Sequence, residues 1–266
     1  VSGSVGAVLL TMGDRPVELE RAVDSIRAQR GVDVELLVVA NGAGGPVGAV
    51  ADDVTVVDLA HNVGIPAGRN VGWRRVGGAA DRFLHEPDLG ILSLRIVDED
   101  GHSQRRHVPR LRAGDPERSS DVTTFLGGAC IVRRAVLDGV GGLPDEFFYA
   151  HEETSVAWRA IDAGWRVAYD SSMQVGHPRT PATRHAAGRW RAARNRVLLA
   201  RRHLPWPLGV LYVLDWLLIG AIRDPQGLGQ ALRGTLAGVR LRRVPRRPMR
   251  WRTVVRMARL GRPPVV

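Results

Sequence analysis

No lysine occurs anywhere in the 266 residues, and only one cysteine does. Without lysine there is no glycine- and lysine-rich phosphate loop, which weighs against a nucleotidyltransferase built on one. All 38 cationic side chains are arginine, a compositional bias to which we attach no function. The lone Cys130 cannot form an internal disulfide. It sits in the apolar run GGACIV, so it reads as a buried structural thiol in a reducing compartment. Long uninterrupted apolar runs are also missing. The opening VSGSVGAVLLTMGDRP is too short, and too soon broken by Gly13-Asp14-Arg15-Pro16, to be a signal peptide or a span, and reads as a buried first strand.

What is present begins with a core: 44% of residues are hydrophobic, enough for one large domain or a domain with an appendage. The net charge of +11 is localised. Residues 223–266 carry twelve arginines against one acid, Asp224, so residues 1–222 are net neutral. This placement argues against a catalytic domain organised around nucleic acid.

Periodicity predicts strands at 5–11, 35–40 and 54–59, with a helix through Val17, Leu19, Ala22, Val23 and Ile26 between the first two. Strand, helix, strand in this rhythm predicts an α/β fold with a doubly wound, mainly parallel sheet. Ligands of such sheets lie beyond the carboxyl ends of the strands, where residues 11–15, 41–45 and 61–70 would gather. Asn62 to Gly72 (NVGIPAGRNVG) is a glycine-rich turn into a short helix; it matches neither a Walker A loop nor GxGxxG. After Ala80 the chain runs straight to Asp81-Arg82-Phe83 with no strand between, so a segment of an alternating fold is expected to be missing there.

A further strand is expected at 89–97, closing in Asp98-Glu99-Asp100-Gly101, which a polar turn explains better than a metal site. Residues 102–121 read as a polar loop. Thr123 to Val132 reads as a buried strand interrupted at Gly127-Gly128, where a ligand or backbone approaches closely. A strand pair is expected from Trp165 to Val175, leading to Gly176-His177-Pro178. Between these lies GGLPDEFFYAHEETSVAWRAIDAGWRV, residues 141–167. There Glu152 and Glu153 open a helix whose Val156, Ala157, Ile161 and Ala163 face inward. Two carboxylates at a helix start are also what the helix dipole stabilises, so a plain terminal acid pair accounts for them when taken alone.

Pro205 to Ile222 (PWPLGVLYVLDWLLIGAI) is the most hydrophobic stretch, but Pro207 and Asp215 make it marginal as a membrane span. Trp206, Tyr212 and Trp216 with flanking arginines, then a polybasic stretch with Trp251, Met257 and Leu260, suit a helix lying in the lipid interface. Packing on the domain's own core is the other explanation. No RNA-binding motif accompanies the basic residues.

Together these motifs resemble the family-2 glycosyltransferases of GT-A fold, over about Val5 to Arg202. VLLTMGDRPVELERAVDSI is similar to the family's opening strand, with Thr11 and Arg15-Pro16. HNVGIPAGRNVGW resembles its N-x-G-x-x-x-G-R-N-x-G turn, and FLGGACIVRRAVLDGVGGLPDEFFYAHEE resembles its acceptor-side loop and the start of its E-D helix. The resemblance implies a GT-A-type mixed sheet in residues 1–202 and a helical, membrane-associated extension in 203–266. It implies an inverting, nonprocessive bacterial hexosyltransferase, with rhamnosyl- or galactofuranosyl-type donors in view.

Carried over by position, Glu153 is the general base with Glu152 beside it. Thr11, Arg15, Asn41, Asn62, Gly64, Arg69 and Asn70 surround the nucleotide-sugar, Gly128, Asp145 and Glu146 lie on the acceptor side, and His177 ligates a divalent cation, Mg or Mn. The implied partners are a nucleotide-sugar donor and a lipid-linked or polysaccharide acceptor, with peripheral contact at the cytoplasmic face of the inner membrane and no nucleic acid. Three positions depart from the family pattern. The D-x-D segment falls in the stretch missing between Ala80 and Asp81, the acid before Asn41 is Ala40, and a third acid after the pair is Ser155, which bears on acceptor contacts. The alternative function is a catalytically inactive GT-A-like scaffold at a membrane assembly.

Overall fold

The computed structural model describes residues 3–45, 47, 54–76, 83, 85–110, 114–177, 179 and 188–265. The junction at Ala80–Asp81 lies outside the described residues. The chain forms two compact units: Val1–Pro87 with Gly142–Phe148, and Asp88–Gly141 with Tyr149–Val266.

In the first unit, β1 (Gly3–Thr11), β2 (Val32–Asn41) and β3 (Thr55–Leu59) form a parallel sheet with β2 in the middle. The central strand is apolar on both faces, as burial on both sides requires. Val38 and Ala40 pack with Leu19 and Val23 of α1 (Pro16–Arg27), while Leu37 and Val39 pack on the opposite face with Val8, Leu10 and Val57. Each such side chain removed from water contributes about 1.5–3 kcal/mol. α2 (Ile65–Trp73) lies against β1 through two glycines of the turn motif. A Cβ on Gly68 would fall 2.6 Å from Leu10, and one on Gly72 would fall 2.3 Å from Val8. Their lack of side chains is what lets helix and strand approach, and this brings the helix start to the carboxyl end of the sheet.

The second unit has a four-stranded sheet of β4 (Leu89–Val97), β5 (Ser120–Asp121), β6 (Cys130–Val132) and β7 (Arg166–Gly176), in the order β5-β7-β4-β6. β4 and β7 are parallel, and the short edge strands are antiparallel to their neighbours. α3 (Arg134–Val140) ends at Gly141, whose φ of 80° is the left-handed termination glycine favours. α4 (Glu152–Asp162) buries Val156, Ala157, Trp158, Ala160 and Ile161. The helical remainder is α5 (Arg189–His203), α6 (Trp206–Arg223), α7 (Leu228–Arg240) and α8 (Trp251–Arg259). α5 and α7 pack closely at Gly234 and Gly238, where a Cβ would meet the Trp190 carbonyl at 2.2 Å and Val197 at 2.7 Å.

Four readings change. Only Cys130–Val132 of the stretch 123–132 is strand. Thr123, Phe125 and Ala129 are buried in a loop, whose apolar content mimics a strand. The pair expected over 165–175 is the single strand β7, whose register with β4 jumps between Leu94↔Asp170 and Arg95↔Gln174. At the jump Asp170 Oδ1 accepts bonds from the Ser172 backbone and hydroxyl at 2.9 and 2.6 Å. Ala163, one residue past α4, is exposed rather than inward-facing. Cys130 is half-buried, its thiol 3.6 Å from the Gly127 carbonyl.

α6 is long and apolar enough to cross a membrane, and its most apolar window is only 6% buried. Trp206, Leu211, Leu214, Leu218 and Ile222 stand exposed along it, as do Leu232, Leu236 and Val239 on α7 and Trp251 and Val255 on α8. An apolar surface this extended marks an interaction face.

Candidate functional site

In the first unit the donor-side candidates meet where the three parallel strands end. Asn41, the last residue of β2 and 2% exposed, spends its whole side chain on the glycine-rich turn. Its amide donates to Asn62 Oδ1 at 3.1 Å and to the Gly64 carbonyl at 3.3 Å, while its oxygen accepts from the Val63 backbone at 2.9 Å. Asn62 Oδ1 also accepts from Gly64 N at 2.8 Å. Gly64 has φ 87°, and a Cβ there would lie 2.8 Å from the Phe148 carbonyl, which accepts a 2.8 Å bond from Ile65 N. Only glycine permits that approach. Thr11 closes β1 and accepts from Gly13 N at 3.0 Å; Arg15 is 4.0 Å from Asp14 and 40% exposed; Arg69 is half-buried.

Asn70 does a different job. It is 3% exposed, donates to the Leu143 carbonyl at 2.8 Å and Asp145 Oδ1 at 2.6 Å, and accepts from Leu143 N and Trp73 Nε1. It thereby ties the segment 142–148 to α2 and brings Asp145 to the glycine-rich helix. Asp145 and Glu146 are exposed in the short turn Asp145–Phe147.

In the second unit, the approach to the paired carboxylates is strained. Ala150 and His151 both have φ of 70°, and Phe148, the last residue of the first unit, has 60°; these are the positive values of non-glycine residues among the described ones. Such conformations cost about 1–3 kcal/mol each and persist only where surroundings enforce them. The enforcing group is Asn195 of α5, which the sequence reading did not single out. It is fully buried, its amide donates to the carbonyls of Tyr149 at 2.7 Å and Ala150 at 2.9 Å, and its oxygen accepts from Arg194. An asparagine among the apolar inner positions of an arginine-rich helix was its only signal. From this held loop α4 starts with Glu152, 1% exposed, and Glu153, half-buried. Burial and then the two carboxylates push the Tyr149 phenol upward, so it is a neutral hydroxyl beside them.

Thr154 shares a 3.3 Å hydroxyl contact with Thr124, on the loop that carries the exposed Gly128. Ser155, where the family pattern has an acid, is buried and bonded at 2.7 Å to His203 Nε2. It faces the protein interior. Burial pushes His203 down from 6.5 to about 3. The unfolded chain takes up this proton near pH 6.5 and the native protein only near 3. The stability gained by keeping the imidazole neutral is therefore complete above 6.5 and lost as pH falls toward 3, at about 1.4 kcal/mol per pH unit. Denaturant unfolding between pH 6.5 and 5 should show this slope added to those of His107 and His151, whose pKa values burial also lowers, and His203→Gln should reduce the total by about 1.4 kcal/mol per pH unit; an unchanged slope would contradict the assignment.

His177 sits at the end of β7, its backbone donating to the Val97 carbonyl, so the parallel register places it beside the start of the Asp98 turn. Its exposed ring meets His107 edge-on at 5.5 Å, and burial, Arg106 and His177 push His107 down to about 4. Asp98, Asp100 and His102 offer ligand atoms within 4.8 Å of one another, an Asp-x-Asp-like donor set suited to a divalent cation. The carboxylates are already engaged. Asp98 Oδ1 accepts from the backbones of Asp100 and His102, and Arg179 reaches Asp98 at 2.7 Å and Asp100 at 2.8 Å. The guanidinium bond is the main reason the Asp98 carboxyl titrates below its usual range. A divalent ion entering here competes with Arg179. The D-x-D segment expected between Ala80 and Asp81 lies outside the described residues.

No family model and no curated protein matches the chain. Solved structures do resemble it. One is a mannosyltransferase, PcManGT from Pyrobaculum calidifontis, in complex with GDP-Man and Mn2+, at 16% identity and TM-score 0.52, covering 98% of this chain and 80% of that one. Another is GalNAc-T7 with UDP, GalNAc and Mn2+, at 12% identity and TM-score 0.58, covering 85% of this chain. The chain spans about half of GalNAc-T7. At these identities the likeness is one of fold: the mixed α/β architecture of GT-A-type glycosyltransferases.

Proposed function

We propose that the chain is a nucleotide-sugar-dependent glycosyltransferase of the inverting, nonprocessive family-2 type, a hexosyltransferase acting on a lipid-linked or cell-envelope glycan. The carrying observation is the polar ring of Asn41, Asn62 and Gly64 at the carboxyl ends of β1, β2 and β3, where open α/β sheets bind ligands. The neighbours of like fold with nucleotide sugars or their parts and Mn2+ support the same reading.

In this reading Glu153 takes the proton of the acceptor hydroxyl as its oxygen bonds to the anomeric carbon, while the bond to the nucleoside diphosphate breaks on the opposite face. Glu153 lies in the first turn of α4, directly after the loop whose Tyr149 and Ala150 carbonyls Asn195 holds. A divalent cation, Mg or Mn, would offset charge on the leaving diphosphate, with Asp98, Asp100 and His102 as the residues to hold it; His177, the position the resemblance points to, is not in that donor group and meets the His107 ring edge-on. The second reading, a GT-A-like scaffold without turnover, is favoured by Arg179 holding both aspartates.

A panel of nucleotide-sugars with and without Mn2+ should separate them. A cognate donor at about a hundredfold over its Kd should stabilise the protein by about 2.7 kcal/mol, a Tm rise of roughly 5–10 °C, and support transfer. No shift with any donor, with or without metal, would sink the enzyme reading; a shift without turnover would favour the scaffold.

Residues 203–266 form the membrane-facing part in this proposal, at the cytoplasmic face of the bacterial inner membrane. The exposed apolar faces of α6, α7 and α8 lie among the arginines that carry the entire net charge. The protein should float with anionic vesicles at low salt and be partly released at high salt, because screening shortens electrostatic reach to about 3 Å at 1 M. Absence of flotation at low salt would remove the membrane part.

A further inference from the structure

We infer that the cavity bounded by α5, α6 and α7 beside Tyr149 and Ala150 binds the phosphate end of a hydrocarbon phosphate ester. It is a site for a prenyl-phosphate-type lipid, and by its position it takes the acceptor's lipid carrier.

The cavity has a volume of about 360 Å3, within the range of small-molecule sites. Its chemistry is mixed in a particular way. Arg189 at its edge is spent on Asp224 at 2.6 Å. Arg196 has no carboxylate within ion-pair distance among the described residues: its guanidinium lies 4.1 Å over the Trp216 ring, and its Nε is buried without a hydrogen-bond acceptor. Burial also pulls its pKa down from the usual arginine value. A desolvated cation with an unsatisfied Nε–H is costly, and the ligand that offsets the cost is an anion able to accept that bond. The wall also carries the Asp224 carboxylate, already paired with Arg189, and the unsatisfied Trp216 Nε1–H, a further donor; Ala192, Leu228, Ala231 and the face of Trp216 suit a hydrocarbon chain.

The surroundings point the same way. α7, which supplies Leu228 and Ala231 to the wall, also exposes Leu232 and Leu236 on the adjoining turns. A chain leaving the cavity along them stays against apolar surface. At the other side Tyr149 and Ala150 run directly into His151, Glu152 and Glu153, so a bound phosphate lies next to the loop that presents the proposed base. Calling the lipid an acceptor rests on the proposed function; binding of the phosphate ester does not.

The test uses the full chain with farnesyl phosphate below its micelle concentration, read by calorimetry or Trp fluorescence. Farnesyl phosphate should bind at least about tenfold tighter than farnesol and than inorganic phosphate, and Arg196→Gln should erase that advantage, a charged hydrogen bond being worth this much. Ala231→Phe, which fills the cavity without touching a charge, should weaken binding to a similar degree and keeps the test decisive should Arg196→Gln fail to fold. Equal binding of farnesol, or undiminished binding by both folded variants, would overturn the proposal. Donor thermal shifts measured on the same variants separate the two ideas. Farnesyl phosphate binding without any donor response would leave the pocket standing and remove glycosyl transfer.

Discussion

Glu153→Gln is expected to lower sugar transfer by about 10²–10⁴-fold while leaving donor affinity nearly unchanged. The substitution keeps the volume and hydrogen-bonding shape of the side chain and removes only its ability to hold a proton. Glu153 is the half-buried member of the pair, accessible to a hydroxyl, whereas Glu152 is 1% exposed. Glu152→Gln should therefore act first on stability, seen as a lower Tm, and the two variants tell base from scaffold. Turnover and donor Kd measured side by side check this. Retained turnover in Glu153→Gln, or a large loss of donor affinity, would count against the assignment.

Asn195→Leu should cost about 2–5 kcal/mol, because two half-buried carbonyls lose their donor at a point where the backbone is already strained. For a chain of this length that is a Tm fall of roughly 5–15 °C. Leucine fills the space of asparagine, so the loss is one of hydrogen bonding rather than volume. Once released, Ala150 and His151 relax toward negative φ and the start of α4 loses its orientation. Turnover should then fall by about tenfold or more, even at a temperature where the variant remains folded, with donor affinity little changed. Limited proteolysis at Tyr149–His151 offers a second readout. A variant as stable and as active as the parent would show that the loop holds itself.

How legible was this in the sequence? The parallel strands and the glycine turn were, because each local signal there agreed with the packing. Val38 and Val39 are apolar on successive positions because both faces of β2 are covered, and Gly64, Gly68 and Gly72 are glycines because Phe148, Leu10 and Val8 leave no room. The stretch 123–132 misled because burial, not strand geometry, selects apolar residues, and Phe125 and Ala129 are buried outside any strand. Arg179 and Asn195 gave little sign of themselves. An arginine that bridges two aspartates some 80 positions earlier in the chain looks like any other arginine until the strands bring it there.

The sequence by itself determined the alternation of strands and helices, the backbone freedom at Gly64 and the separation of charge into a neutral front and an arginine-rich tail. These depend on local sterics, periodicity and counting. Tertiary structure alone decided what the polar groups are used for: Ser155 turned inward to His203, Asn70 holding Leu143 and Asp145, Asn195 holding a strained loop, and Arg196 buried over Trp216 without a carboxylate. Such roles arise between residues distant in the chain. A polar side chain's energy is set by the partner and the solvent it meets after folding, and neither is written in its neighbours in sequence.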